Sequence, residues 1–460
     1  MTSETSMPDA QGDRFTHSTF ALLTSNVTGA VLGVAFWAVA AHLYRKSYVG
    51  YGVAEIAAMT LVANFALLNL GTVFPRLLFA AGDQAGRVLR TGYLASISIA
   101  VVGSVVFLAV TGHHSYLTSG LISPLVFVVG VVLWAVFTIE DAALVGFRKT
   151  FWVPVENTSF SIGKVALLFL FAVVAPRTGV FNAWILPVVA CVIPVNYYLF
   201  KRVLPAHERR FVGRSVLPER KVIGSVVLGE YVGGIAFTAM ATVPALLIYG
   251  QLGRVSAAYF QTPWIAGTSF DLLLFSFATS VIVEASARPA TAGATVRRAV
   301  RLAALILTPS MVVLLVGAPY FLRILGTSYA NHGTRLLQAV ALALPFMAVN
   351  VLYVTFARLA RRVRRVLIVQ VSIATISLSL TAVLLGHLGI TGAGVGFLIS
   401  QAAVACVVLP SVVRQYRRPG MTPGFLDSGS MVAGASDQPT APSSIDGAAS
   451  GDPRRDAEDL

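Results

Sequence analysis

The chain has 460 residues, of which 56% are hydrophobic and only 12% are charged, and its mean hydropathy is +0.77. This is more apolar surface than one soluble core of this length buries, so the composition predicts a membrane protein. The formal net charge of +14 would suit a nucleic-acid binder. However, the basic residues fall in short clusters between long apolar runs, which argues against a nucleic-acid partner.

The chain begins with a polar segment, residues 1–18, which predicts a cytoplasmic tail and not a signal peptide. A bilayer core of roughly 30 Å requires about 20 apolar residues in a helix. Lipid cannot satisfy free backbone groups, so each such run is predicted to be helical. The sequence therefore predicts an all-α polytopic membrane protein of about twelve transmembrane helices. The predicted spans are 20–41, 51–75, 91–112, 121–141, 156–175, 179–200, 222–249, 257–284, 301–325, 335–357, 366–386 and 391–413.

The Lys and Arg residues between these spans alternate strongly from one side to the other. One side is predicted to hold 24 of them, in clusters such as Arg148 and Lys149 or the segment 201–221. The other side is predicted to hold six, which are Arg45, Lys46, Arg177, Arg254, Arg323 and Arg335. This bias predicts that the first side and both termini are cytoplasmic. We expect a multi-pass location in the inner (plasma) membrane.

A long basic connection divides the predicted spans into six and six. Residues 19–200 are predicted to form an N-terminal six-helix bundle and residues 222–413 a pseudo-symmetric C-terminal one, joined by a cytoplasmic linker at 201–221. The tetrapeptide 189–192 recurs at 404–407, in the last predicted span of each half, which favours an internal repeat. Residues 414–460 are rich in Ser, Gly, Pro and Asp and predict a disordered cytoplasmic tail.

Three ionisable residues lie deep within predicted spans: Lys164, Glu230 and Asp271. Charges at this depth are costly, so they usually face a partner or a water-filled cavity. One interpretation is a polar pathway in which Lys164 engages an anionic phosphate while Glu230 or Asp271 binds a coupling proton or ion. The other is a structural Lys–Glu or Lys–Asp pair. Glu55 is a further pathway candidate, nearer the outer end of its helix.

Other acidic residues lie at the predicted cytoplasmic ends of spans. Glu140, Asp141 and Glu284 occupy such positions, and we expect them to pair with the neighbouring basic clusters.

The sequence shows no constellation typical of an enzyme, a cofactor site or a metal site. Gly163-Lys164 lacks the upstream glycine of a phosphate-binding loop, and His113-His114 has no further ligand nearby. Cys191 and Cys406 each lie within an apolar run, as packed thiols do. We therefore predict no enzymatic activity, no cofactor and no metal.

Several motifs resemble those of the polysaccharide-flippase and lipopolysaccharide-biosynthesis exporter branch of the multidrug/oligosaccharidyl-lipid/polysaccharide (MOP) exporter superfamily. They cover most of residues 20–413. The stretches that carry the resemblance are Ser25-Asn26-Val27-Thr28-Gly29, Val49-Gly50-Tyr51-Gly52, Asn69-Leu70-Gly71, Asp141 to Arg148, Trp152-Val153-Pro154 with Asn157 and Lys164, and Ile324-Leu325-Gly326 to Gly333 with Pro345, Tyr353 and Arg358.

The resemblance implies a flippase that moves a polyprenyl-diphosphate-linked oligosaccharide, or a related lipid-linked glycan such as an O-antigen precursor, to the outer leaflet by alternating access. It also implies that Asn26 and Asn157 lie on the substrate or ion pathway, and that a glycan polymerase or glycosyltransferases are candidate partners beside membrane lipids. Two alternatives stay open: a cation-coupled drug or metabolite antiporter of the same architecture, and a membrane scaffold that recruits glycan-assembly enzymes without transporting.

Overall fold

The computed structural model describes residues 29, 31–111, 124–213, 220–287, 292–360 and 362–417. Within these ranges every regular element is helical and no strand occurs. The main helices are α1 (Val31–Leu43), α2 (Lys46–Ala66), α3 (Leu70–Ala80), α4 (Ala85–Thr111), α5 (Pro124–Gly146), α6 (Trp152–Val174), α7 (Gly179–Tyr198), α8 (Leu204–Arg210), α9 (Arg220–Leu252), α10 (Arg254–Ala287), α11 (Ala292–Ile324), α12 (Thr327–Leu359), α13 (Val363–Leu388) and α14 (Thr391–Arg417).

The predicted all-α polytopic membrane fold is confirmed. Each predicted span overlaps one of these helices, and ten helices of the described part are long and apolar enough to cross a membrane. The described part of the first predicted span is the short helix α1, because the preceding residues lie outside the described ranges. Residues 1–18 also lie outside the described ranges. Of the predicted tail at 414–460, residues 414–417 form the end of α14, and residues 418–460 lie outside the described ranges. The boundaries of the two predicted bundles stay a prediction.

The second predicted span, 51–75, is not one continuous helix. It is divided between α2 and α3 by residues 67–69, where Leu68 and Asn69 adopt positive φ angles of 49° and 57°. Left-handed backbone ends a right-handed helix, and Asn tolerates it better than most residues. Hydropathy did not predict the break because the apolar run continues through it.

The helices of the second half are longer than the bilayer requires. α9 to α12 contain 33, 34, 33 and 33 residues. At about 1.5 Å per residue each is roughly 50 Å long, against a hydrocarbon core of about 30 Å. Their ends therefore project beyond the apolar layer, and the basic residues of α11, such as Arg297, Arg298 and Arg301, lie on one of these extensions.

Helix α2 packs against helices from both halves of the chain. It contacts α4, α5 and α7 on one side and α9 and α10 on the other. The main apolar core runs through it, from Phe36 and Met59 to Phe260 and Phe397. A second apolar cluster surrounds Phe74 and Leu144 and is formed by residues of α3 to α8. The position of α2 makes it the element through which the two halves of the described chain meet.

Candidate functional site

The ammonium group of Lys164 is enclosed by aromatic rings. Its Nζ lies 4.3 Å from the ring centroid of Trp184, 4.6 Å from that of Phe160 and 5.6 Å from that of Phe36. These three rings, from α7, α6 and α1, form what we call the aromatic cage. Lys164 is only 4% exposed, and within the described residues it forms no ion pair with a carboxylate. The side chains of Glu230 and Asp271 lie outside the described residues, so the alternative of a structural Lys–Glu or Lys–Asp pair stays a prediction.

The aromatic cage follows partly from local spacing. Phe160 precedes Lys164 by four residues on α6, which places both on one face of the helix. Each cation–π contact contributes about 0.5–2 kcal/mol, whereas a lysine at mid-bilayer costs about 2.5–3.5 kcal/mol on insertion scales. The rings therefore offset a large part of the burial cost, yet they neutralise no charge. A buried ammonium held this way stays able to bind an anion.

A group of buried acids and amides lies along the same helix, two turns from the aromatic cage. Glu156 and Asn157 on α6 face Glu140 and Asp141 on α5, and α7 adds Asn196. We call these residues, with Tyr93 of α4, the acidic cluster. Asn157 Nδ2 donates to Asp141 Oδ2 at 2.9 Å, and Asn196 Nδ2 donates to Glu140 Oε2. The Tyr93 hydroxyl donates to Asn196 Oδ1 at 2.9 Å.

The acidic cluster has spare acceptor capacity. Both carboxylate oxygens of Glu156, Oε1 of Glu140 and Oδ1 of Asp141 are buried without a hydrogen-bond partner. The described residues place no Lys or Arg in an ion pair with these carboxyls. Three carboxyls this close in a low-dielectric site do not all ionise together, so the arrangement can hold protons or a cation.

The expected pairing of Glu140 and Asp141 with basic clusters does not occur in the described chain, and the reason is the geometry of the hairpin. α5 and α6 are antiparallel, joined by a short turn at 147–151. Glu140-Asp141 and Glu156-Asn157 lie at similar distances before and after that turn, so the hairpin brings the two pairs together. Sequence analysis missed Glu156, Asn196 and Tyr93 as site residues, although the matched spacing was available. The side chain of Glu284 lies outside the described part.

The remaining predicted site residues are placed as follows. Glu55 is 2% exposed on α2, the helix shared by both halves. Asn157 belongs to the acidic cluster, and its amide also donates to the Val153 carbonyl at 3.0 Å. The side chains of Glu230 and Asp271, and all of Asn26, lie outside the described residues. The predicted common pathway of Lys164 with Glu230 and Asp271 therefore stays a prediction.

On the predicted outer side, α2 meets α9 and α10, and α10 meets α12, in a set of contacts that we call the outer junction. Arg254 lies over the ring of Tyr51 at 4.2 Å, and Lys46 Nζ lies 5.2 Å from the ring centroid of Tyr259. The Tyr259 ring in turn stacks on His332 at 4.6 Å. Three of these five side chains, Tyr51, Tyr259 and His332, are aromatic, and two are cations from the predicted outer set.

The outer junction is tightly packed at the backbone as well. A Cβ built on Gly50 would lie 1.8 Å from the carbonyl oxygen of Arg254, which only glycine permits. A Cβ on Gly52 would lie 2.4 Å from Val180 of α7. In this conformation the outer ends of α2, α7 and the α9–α10 turn are in direct contact.

No protein-family profile matches the sequence, and no curated protein matches it. Solved structures match over most of the chain at low identity. A MATE in complex with MaL6 has a TM-score of 0.58 and 13% identity, over 85% of this chain and 96% of the other. A MOP superfamily transporter from Pyrococcus furiosus has a TM-score of 0.61 and 14% identity, over 87% and 95%. The lipid II flippase MurJ in an inward closed conformation has a TM-score of 0.58 and 13% identity, over 87% and 88%. The chain therefore has the all-helical membrane fold shared by the MATE transporters and MurJ, both of the MOP superfamily.

Proposed function

We propose that the protein is a membrane transporter that flips a polyprenyl-diphosphate-linked glycan across the bilayer by alternating access. The observation that carries the proposal is the buried ammonium of Lys164, which has aromatic rings but no described carboxylate around it. A cation kept at such depth, with no carboxylate paired to it in the described part of the chain, is suited to an anionic ligand. The shared fold with a lipid II flippase supports the same class of substrate.

The aromatic cage gives Lys164 a resting position in the absence of substrate. A phosphate oxygen is a stronger partner for an ammonium than a ring face, because a charge-assisted hydrogen bond adds to the charge attraction. In the proposed cycle the diphosphate draws the ammonium off the three rings. The closed outer junction is consistent with loading from the predicted cytoplasmic side, followed by separation of α2 from the α9–α10 turn.

A second candidate, a cation-coupled antiporter of the same fold, is favoured by the acidic cluster. Glu140 and Glu156 hold unpartnered carboxylate oxygens away from any described cation. Protons or a metal cation bound there would suit ion-driven exchange. The same cluster serves the flippase proposal if the flipping step is driven by proton binding. The two candidates thus differ in substrate and share a coupling site.

The decisive test is Lys164→Met, which removes the charge and keeps an unbranched side chain of similar reach. We expect the rate of flipping of a fluorescent undecaprenyl-diphosphate oligosaccharide in proteoliposomes to fall at least about tenfold, equivalent to about 1.4 kcal/mol. Lys201→Met is the matched control, because Lys201 is exposed outside the aromatic cage. Its flipping rate should stay within about twofold of the wild type, a change of less than about 0.5 kcal/mol.

A stability measurement separates function from folding. If Lys164 serves only to hold helices together, Lys164→Met will lower the free energy of unfolding. If the ammonium is kept for substrate, its removal leaves stability unchanged or higher, because an unpaired buried charge is lost. Normal flipping by Lys164→Met would refute the flippase proposal. Intact flipping together with loss of drug export in Glu156→Gln would favour the antiporter.

A further inference from the structure

A second polar site lies away from the aromatic cage, at the helix ends on the predicted cytoplasmic side. It is a cleft of about 530 Å³ between the α5–α6 turn, the end of α7 and helix α8. We call it the basic cleft. Its polar lining consists of Arg148, Lys149, Arg202, His207 and Arg210. A volume of this order lies within the range of small-ligand pockets.

The described lining of the basic cleft carries four cations and no acid. In the described chain none of these four cations takes part in an ion pair. Glu208, next to the lining residue His207 in sequence, is instead held by a hydrogen bond from the Gly86 amide to its Oε1 at 3.0 Å. Cations gathered without acids repel one another, and an anion relieves that repulsion.

Backbone geometry supports a role for Arg148. Its φ is +58°, a left-handed conformation that costs a side-chain-bearing residue about 1–2 kcal/mol. This conformation holds the guanidinium 4.4 Å from the ring centroid of Phe79, at the wall of the cleft. Arg202 lies in a π-helical turn, Leu199–Val203, and such turns recur at functional sites. Two departures from regular backbone thus present two arginines to one cleft.

The surroundings indicate a ligand that belongs to the membrane. Trp152 and Tyr198 pack at 5.1 Å beside the cleft, and Phe151 is 75% exposed on the same turn. Exposed aromatic residues of this kind are typical of the membrane–water interface. Arginines that line a cleft at this level meet the phosphate layer of the bilayer, where guanidinium groups bind phosphate through paired hydrogen bonds.

We propose that the basic cleft binds the phosphate group of a lipid at the predicted cytoplasmic membrane surface. Arg148, Lys149, Arg202 and Arg210, which are exposed, supply the contacts to the phosphate. This proposal is independent of the transport function, since the cleft is separate from Lys164. It applies to the phosphate of any phospholipid or phosphorylated polyprenol.

The test measures lipid binding to the full-length protein by native mass spectrometry, with phosphatidylglycerol as the lipid. The cleft variant is Arg148→Gln, Arg202→Gln, Arg210→Gln. The matched control is Arg87→Gln, Arg90→Gln, Lys201→Gln, which removes the same charge from exposed positions outside the cleft. We expect affinity to fall about tenfold or more in the cleft variant, because charge-assisted hydrogen bonds are lost. The control should change less than about twofold, as exposed charges contribute little.

Equal losses in both variants would mean diffuse charge attraction and would overturn the proposal, as would unchanged binding in both. Inorganic phosphate provides a second arm. If it protects Lys149 from acylation in the detergent-solubilised protein while phosphatidylglycerol does not, the cleft takes a free anion and the lipid proposal fails. Cross-links from Lys149 to the acidic segment 420–460, with unchanged lipid binding, would identify a peptide as the occupant and overturn the proposal too. Unfolding temperatures of both variants, compared with the wild type, check that each is folded.

Discussion

The outer junction and the basic cleft contain the same kinds of side chain but differ in the space between them. In the outer junction, Arg254 and Lys46 each cover a tyrosine ring, and the backbones of α2 and the α9–α10 turn touch at Gly50. In the basic cleft, Arg148 likewise covers the Phe79 ring, but four exposed cations surround an open volume. Cation–ring contacts hold elements together in both regions, whereas only cations placed around a space can attract an anion.

The two regions differ in how closely their helix backbones pack, and not in the residue types that line them. Gly50 allows the outer helices to come together until no space remains. At the basic cleft, the left-handed Arg148 and the π-helical turn at Leu199–Val203 interrupt the regular packing and leave a gap. In the proposed transport cycle, the outer junction is therefore the seal that opens, and the basic cleft is a binding surface that need not change.

The largest expected effect is that of Gly50→Ala. The new Cβ would lie 1.8 Å from the Arg254 carbonyl oxygen, so the two backbones must separate. We expect the free energy of unfolding of the closed form to fall by about 2–3 kcal/mol, typical of overpacking. We also expect spin-label distances between the outer ends of α2 and α10 to lengthen.

Gly250→Ala is the control for that measurement, because nothing lies within 4 Å of a Cβ at this position on α9. Its stability should stay level or rise by up to about 1 kcal/mol, the helix-propensity gain of alanine. If Gly50→Ala is no less stable than Gly250→Ala and the spin-label distances match, the outer junction is not a close-packed seal.

Arg254→Gln has a smaller expected effect. The guanidinium lies 4.2 Å from the Tyr51 ring centroid but is exposed, so its loss should weaken the closed form by about 0.5–1 kcal/mol. This corresponds to roughly a two- to fivefold shift in the ratio of closed to open molecules. A double-mutant cycle with Tyr51→Leu measures the coupling directly. Arg335→Gln, another exposed residue of the predicted outer set, serves as the control, and equal effects of the two arginine variants would remove Arg254 from the seal.

Sequence analysis predicted the helices better than the sites. Apolar length placed every predicted span on a helix of the described chain, because a lipid environment permits little besides a helix. Ten helices of the described part are long and apolar enough to cross a membrane. The break at Leu68 and Asn69 was missed, since hydropathy carries no information on a single backbone angle. Lys46 and Arg254, both assigned to the outer side by the charge alternation, each contact a tyrosine at the junction of α2 and α10. The orientation of the chain in the membrane stays a prediction.

The candidate sites depended on contacts that no short motif contains. Lys164 was found by its charge within an apolar run, but two of its three rings come from α1 and α7, far away in sequence. Glu156 was taken only as the start of a span, although the α5–α6 hairpin places it against Glu140. Antiparallel pairing across a short turn was therefore the usable signal that was overlooked.

The smallest expected effect concerns the backbone of Arg148, where two terms nearly cancel. Arg148→Gly removes a left-handed cost of about 1–2 kcal/mol and also a cation–π contact with Phe79 of about 0.5–1 kcal/mol. We therefore expect the free energy of unfolding to rise by about 0.5 kcal/mol. Arg148→Gln keeps the backbone cost and loses the contact, so its free energy of unfolding should be about 0.5–1 kcal/mol lower than that of the wild type. The difference between the two variants isolates the backbone term. If the Arg148→Gly variant is no more stable than Arg148→Gln, the backbone of Arg148 is not strained. The strained backbone would then no longer support a binding role for the basic cleft.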